Sequence, residues 1–569
     1  MKATVAAIAA ALFAVPSAIA ADATALGIGY ICGAENAPSP AGGPVGIGKA
    51  VMLKGVGNGA SPADTNNREA QAWYDEGLNL YHAFNHTEAL NAFSKAAALD
   101  PDCALCEWGV AIGLGPTLNY GVTPDQTALA LTHAQRAAKL VKPSDERAKG
   151  LIDALLIRYD KSTPGKRDSL YAKAMDDLVR RYPGDDEIAN QAAQALMIPG
   201  RGGDAAGVAR AEAILKEVLA RKPDDTAAIH YYIHATEFAG HPAEALPYAD
   251  KLAGLAPGGS HLVHMAAHTL MHVGQYERVA IVDAQALKVD ADVEKLEGVP
   301  GPLASQMYYL HNYTFGLAGA LMAGDGKLAL RYADHAGVAF PAGGDHAAVQ
   351  LPPGSARSAN PVERRTTAEA RSLVAYGRYA PARAIALADS PGDPRIVRVY
   401  RHYARGEAFA AQGDAASVRR EANIVLGLLV EALKSGESGT ASVASIAADV
   451  LNGRAALMTH QPAEAADFFA RAAARQDKDF PVAKNFDPPP WWYPVRRSLA
   501  AADLAAGRTD DAAREAEASL VDWPQDALAL KVLSIAEAHQ GKAAASRQHM
   551  AEARRVWHGD LAKAPLALT

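Results

Sequence analysis

A chain of 569 residues that is 49% hydrophobic and 21% charged, with 33 Pro, 48 Gly and 3 Cys, has ample material for a buried core. This composition excludes a disulfide-built miniprotein and a long disordered polymer. Lys and Arg number 56 against 63 Asp and Glu, a net charge of -7, so no basic field exists to hold nucleic acid or an anionic membrane nonspecifically.

Residues 1–20 read as a signal peptide. Met1-Lys2 supplies a positive start, Val5 to Val15 an apolar stretch, and Ala18-Ile19-Ala20 the small-x-small pattern that precedes cleavage. The expectation is an exported, periplasmic protein beginning at Ala21 or Asp22. No transmembrane segment is expected in the mature chain, because no later window approaches the roughly 18 apolar residues that a span needs. Residues 21–66, rich in Gly, Pro, Ala and Asn, predict an extended N-terminal segment. Cys103 and Cys106 form a C-x-x-C. In an oxidising compartment that spacing predicts a local disulfide stapling a helix start. The alternative is a redox pair or soft-metal site, since a helix N-terminus lowers a thiol pKa. No His follows Cys106, so haem attachment is not expected, and Cys32 is left over.

From Glu69 the texture changes to Ala-rich helical pairs. Trp73, Gly77, Ala89, Phe93, Ala96 and Pro101 fall at the spacing of a tetratricopeptide repeat. Small residues let two helices cross closely, Phe93 fills the gap, and Pro stops the second helix. Pro223 and Pro257 lie 34 residues apart and close two successive units. Further units are readable near Leu310–Gly337, Ala448–Gln476, Tyr493–Asp526 and Ala527–Asp560. The fold class is all-α, a tetratricopeptide-repeat-like α-solenoid of about nine to eleven helical hairpins with a concave groove. An N-terminal array over 67–340 and a C-terminal array over 363–569 flank a Pro-, Gly- and Ser-rich loop at 341–362.

The stretches AFNHTEALNAFSKAAALDPDCALCEWGVAIGLGP, HYYIHATEFAGHPAEALPYADKLAGLAPGGSHLVHMAAHTLMHVGQY, YYLHNYTFGLAGALMAG and PPPWWYPVRRSLAAADLAAGR together resemble a family of large exported bacterial tetratricopeptide-repeat proteins, over roughly residues 50–540. Ala266 or Ala267 stands where members usually carry Pro, which leaves this helix easier to continue. The resemblance implies fold and export, and no activity.

Seven histidines lie between His230 and His272. If repeats are numbered from Thr226 and Ser260, His230 and His264 both occupy slot five, and His234 and His268 both occupy slot nine. Equivalent slots on neighbouring first helices face the same way, with axes about 8 to 10 Å apart. At about 100° per residue, His261, His264, His268 and His272 share a stripe roughly 80° wide. Val263, Ala266, Ala267 and Leu270 lie opposite, so the stripe is expected to line the groove.

The compact subset is His230, His234, His264 and His268, two H-x-x-x-H pairs able to converge on one ion. His261 and His311 share slot two of their repeats and extend the site. Glu237 projects from the same side as a carboxylate ligand, a partner fixing a His tautomer, or a general base. Imidazole-rich ligation suits Zn, Cu or Ni.

H-E-x-x-H is absent, and no nucleotide or haem motif is present. The aromatic run Tyr308, Tyr309, Tyr313 and the PPPWWY segment are expected to serve packing or the groove. The functional expectation is a transition-metal site in the groove, for metal binding or metal-assisted chemistry. The alternative is a metal-free scaffold that lays a peptide or protein partner along the groove. Whether an enzymatic activity exists is left open.

Overall fold

A computed structural model describes residues 50–118, 122, 124–160, 162–163, 165–199, 204–297, 308–339, 361–482 and 487–564. The signal peptide expected over residues 1–20, Cys32, the first part of the N-terminal segment and residues 341–360 of the expected interarray loop lie outside the described residues.

The described chain is α-helical throughout. Its helices are α1 (Arg68–His82), α2 (His86–Leu99), α3 (Ala104–Gly113), α4 (Pro124–Leu140), α5 (Glu146–Tyr159), α6 (Arg167–Arg181), α7 (Asp186–Met197), α8 (Ala205–Arg221), α9 (Thr226–Phe238), α10 (Leu246–Leu255), α11 (Ser260–His272) and α12 (Tyr276–Glu297). They continue as α13 (Tyr309–Ala323), α14 (Gly326–Ala339), α15 (Pro361–Tyr379), α16 (Pro381–Ala386), α17 (Arg395–Ala411), α18 (Ala415–Lys434), α19 (Ser438–Met458), α20 (Pro462–Asp479), α21 (Val495–Ala505), α22 (Thr509–Asp522), α23 (Ala527–His539) and α24 (Ala543–Val556). Consecutive helices pack against one another, which makes the chain a stack of helical pairs.

Local chemistry sets the starts. Asn67 caps α1 by accepting from the backbone N–H of Glu69 and Ala70, and Asp145, Asp185, Asp204 and Asp225 cap α5, α7, α8 and α9 in the same way. Small residues set the crossings. A Cβ on Gly77 would fall 2.5 Å from Phe93, and one on Gly109 2.3 Å from the same ring, so α1, α2 and α3 meet only because both positions are glycine. Gly453 against Phe469 repeats the device in the C-terminal array, at 2.7 Å.

The turn between paired helices uses one residue in the left-handed region. It is Gly240, Gly274, Gly324, Gly413, Gly507 or Gly541 in six units, with φ between 75° and 81°. Phe84 and His460 hold the same position with φ 58°. That conformation suits glycine and penalises a side chain.

The solenoid closes on itself at both ends. Near the start, Gly258 N–H donates to Gly55 C=O at 2.8 Å and Asn58 bonds Thr226 and Asp224, while Leu53, Gly59 and Ser61 N–H donate to Glu76, Asn79 and Asp75 of α1, so this segment runs along α1 and meets the start of α9 and the connection after α10. Further on, Gln525 donates to Val273 C=O at 3.2 Å, His558 N–H donates to Ala323 C=O at 2.8 Å, and Trp557 packs on Gly324. His261, His264 and His268, which the sequence reading places along the groove, are buried, as are His230 and His234. No described helix is long and apolar enough to cross a membrane.

Candidate metal centre

Helices α9, α11 and α13 are first helices of successive units and present their inner faces to one another. From α9 come His230, His234 and Glu237, from α11 His261, His264 and His268, and from the start of α13 His311. All six imidazoles are buried, none more than 3% exposed.

The six sort into two trios, which differs from the quartet of paired H-x-x-x-H residues read from the sequence. His264, His268 and His311 offer ligand atoms all within 4.8 Å of one another, and so do His230, His234 and His261. Each trio takes slots five and nine of one repeat and slot two of the next. The sequence reading contained this register and grouped it differently.

In the trio His264, His268 and His311, every Nδ1 faces a carboxylate. His264 bonds Asp283 Oδ1 at 2.6 Å, His268 bonds Glu237 Oε1 at 3.0 Å, and His311 Nδ1 lies 3.4 Å from Asp487 Oδ2. A carboxylate on one ring nitrogen fixes the tautomer and leaves the other nitrogen's lone pair for an ion. The Nε2 atoms of His268 and His311 are 3.2 Å apart. Two nitrogens sharing a tetrahedral ion at about 2.0–2.1 Å would be separated by about 3.3 Å. His264 Nε2 has no hydrogen-bond partner among the described residues. Phe315 lies over all three rings, with centroids 4.7 to 5.0 Å away. On donor type, orientation and spacing, these residues fit a transition-metal ion.

The trio His230, His234 and His261 is backed differently. His230 Nδ1 donates to the backbone C=O of His82 at 2.6 Å. The other His230 nitrogen, and both nitrogens of His234 and His261, have no hydrogen-bond partner among the described residues. Phe84 covers this trio, with its ring 4.3 Å from His230, 5.0 Å from His261 and 5.9 Å from His234. Tyr308 lies 4.3 Å from His261. The trios are neighbours, since the His234–His268 and His261–His264 ring pairs are each 5.7 Å apart.

Electrostatics follows burial. Desolvation, with repulsion among neighbouring imidazoles, holds His230, His261 and His264 well below the usual histidine range, so these rings are neutral, the form that ligates. Burial also lowers His234. It opposes charge on His268 too, but the Glu237 carboxylate outweighs it and raises that ring. Burial pushes Glu237 up, and contacts from His268, His234 and His272 more than reverse this, leaving it ionised. Burial alone drives Asp283 well up, so with His264 free of an ion it is protonated, and an ion on the far nitrogen of His264 would favour its carboxylate form.

Glu237 is committed to orientation. Its Oε1 accepts from His268 and also from His272 at 3.1 Å, and its Oε2 lies 3.7 Å from His234 Nδ1. Asp283, Asp487, Phe84 and Phe315 were not singled out from the sequence. Asp283 sits on a second helix with no histidine beside it in sequence, and Asp487 lies in a connection far downstream. Phe84 left one trace, a phenylalanine where other units carry a turn glycine.

The remaining expectations fall elsewhere. Cys103 and Cys106 are joined by a disulfide across the first turn of α3 and are buried, away from the histidines. A third group, Glu212, His241 and Glu244, is held by Lys216 at the surface. Tyr309, Tyr313, Trp491 and Trp492 are core residues.

No family model matches the chain, and no curated protein matches it. Solved structures do. The Naa15/Naa10 complex bound to HypK-THB matches with 14% identity over 86% of this chain and 71% of that one, at a TM-score of 0.22. The human IFIT1 dimer with PPP-AAAA matches at 11% identity over 86% and 95%, at 0.30. The P58(IPK) TPR domain matches at 13% over 86% and 98%, at 0.22. Likeness this weak transfers no site and no activity. On its own helices, crossings and repeat register, the chain is an all-α solenoid of tetratricopeptide-like helical pairs.

Proposed function

We propose that this is an exported, periplasmic helical-repeat protein that binds a transition-metal ion through His264, His268 and His311. One observation carries the reading: three buried imidazoles converge while Asp283, Glu237 and Asp487 each hold the far nitrogen of one of them. Three protein ligands leave a fourth position for water or a substrate atom, the arrangement of metal sites that do chemistry. Zn, Cu and Ni all accept imidazole.

Stacked helical pairs are also a scaffold for protein interaction, and that role is compatible with a metal centre inside. A peptide laid along the histidine stripe of the N-terminal array, however, would have to displace Phe84, Tyr308 and Phe315.

The test is elemental analysis of tag-free protein beside the His264→Ala/His268→Ala double variant. A near-stoichiometric ion in the wild type, lost in the variant, is expected. Absence of metal from the wild type after reconstitution with Zn, Cu and Ni would end the reading and turn attention to partner capture.

A further inference from the structure

We infer that His230, His234 and His261 form a second metal site, a copy of the first displaced by one repeat, and that the two trios together hold a pair of copper ions. The inference rests on the reading of His264, His268 and His311 as a metal centre.

The register is the first argument. Both trios are built from slots five and nine of one unit and slot two of the next. Both bring three ligand atoms within 4.8 Å, and both lie under a phenylalanine ring. A stack of repeats that makes a site at one interface makes the same site at the next when the same slots carry the same residue.

Unmet hydrogen bonding is the second. Five ring nitrogens of the second trio are buried with no partner among the described residues. A neutral imidazole carries one donor and one acceptor, and burying either without a partner is unfavourable. An ion taking one lone pair from each ring removes much of that penalty.

Phe84 is the third. It occupies the left-handed turn position that six other units give to glycine, and its side chain is buried against this trio. Such a backbone persists only where the surroundings enforce it, and it clusters at functional sites. Here the turn carries the ring that closes the second trio from above.

Charge selects the metal. The first trio has three carboxylates behind it. The second has a backbone carbonyl behind His230, aromatic rings around it, and Glu237 only at 3.7 Å from His234. A divalent ion there would bring two charges into a dry site with little to compensate them. A cuprous ion brings one, and copper accepts imidazole ligation.

The experiment loads the full-length mature protein anaerobically with copper sulfate and ascorbate, removes loose ion with a bathocuproine competitor, and counts copper per chain. A parallel sample receives zinc sulfate. Two coppers per wild-type chain, and one in His230→Gln/His261→Gln, are expected. One copper in the wild type and still one in that variant would overturn the second site and leave the first standing. No metal in either protein would end both. Two zinc ions retained as firmly as copper would overturn the choice of metal. Should the variant fail to fold, wild-type stoichiometry decides between one and two ions. X-ray absorption decides further: nitrogen-only ligation is expected, and sulfur or predominantly oxygen ligation at two coppers per chain would place the second ion elsewhere.

Discussion

Two neighbouring trios of histidine, made by the same repeat slots, are finished by different surroundings. Behind His264, His268 and His311 stand three carboxylates, whereas behind His230, His234 and His261 stand a backbone carbonyl, Phe84 and Tyr308. The repeat dictates which residues can meet. The second helices and long-range connections dictate what charge the meeting place tolerates. Duplicating a unit therefore duplicates ligands, while the properties of each site are set by parts outside the repeated stripe.

The strongest way to probe this contrast is to remove metal altogether. Chelation of loaded protein is expected to lower unfolding stability by about 4 kcal/mol where the free ion had stood a thousandfold above its Kd. Calorimetry should show that loss in the wild type and no chelator effect in a variant lacking all six imidazoles.

Replacing Phe84 acts on one trio alone. Phe84→Gly relieves the left-handed backbone, about 1 kcal/mol, and leaves a cavity worth about 3–5 kcal/mol. A net loss of about 2–4 kcal/mol in chemical denaturation is expected, together with faster metal exchange at His230, His234 and His261 and unchanged affinity at the other trio.

Asp283→Asn acts on the other side of the comparison. It keeps the shape and removes the carboxylate behind His264, so affinity at His264, His268 and His311 should fall by about 10–100-fold. Competition titration would read this. An equal fall at both trios would show that the carboxylates serve the pair as a unit.

The last effect is one of pH, at two carboxyls outside the trios. Glu76, bonded to Leu53 N–H at 2.6 Å, is raised by burial to about 7, and burial likewise raises Asp290 to about 7. Their folded-state values lie above their unfolded ones, so their contribution is fully present below about pH 4 and is lost as pH rises towards 7. The stability of apo wild type relative to apo Glu76→Gln should therefore fall between pH 5 and 7, against the rise that the buried neutral rings of His230, His261 and His264 give both proteins over the same range.

Much of this was legible in the residues. Trp73, Gly77, Phe93 and Pro101 carry the repeat, and Gly77 proves to be the position where a Cβ would strike Phe93. The slots of His230, His264, His234 and His268, with His261 and His311 in slot two, contain all six imidazoles of the two trios. What the slots do not contain is the partition into trios, because that depends on how far each unit rotates on the last. Nor do they contain Asp487, whose approach to His311 depends on the C-terminal array returning to the middle of the chain. The burial of the stripe was hidden for a related reason: Phe84, Tyr308 and Phe315 close over the imidazoles only once the units are stacked.

The return of the C-terminal array also sets an order of events. All six histidines emerge from the ribosome well before Asp487, and the contacts of Gln525, Trp557 and His558 that pin the returning helices come later still. The centre is thus completed by nearly the last part of the chain to be made, and an ion met earlier would find a site missing one of its carboxylates and hold about 10–100-fold less tightly. The metal supply met once the C-terminal array has docked, rather than during synthesis, would decide what occupies it.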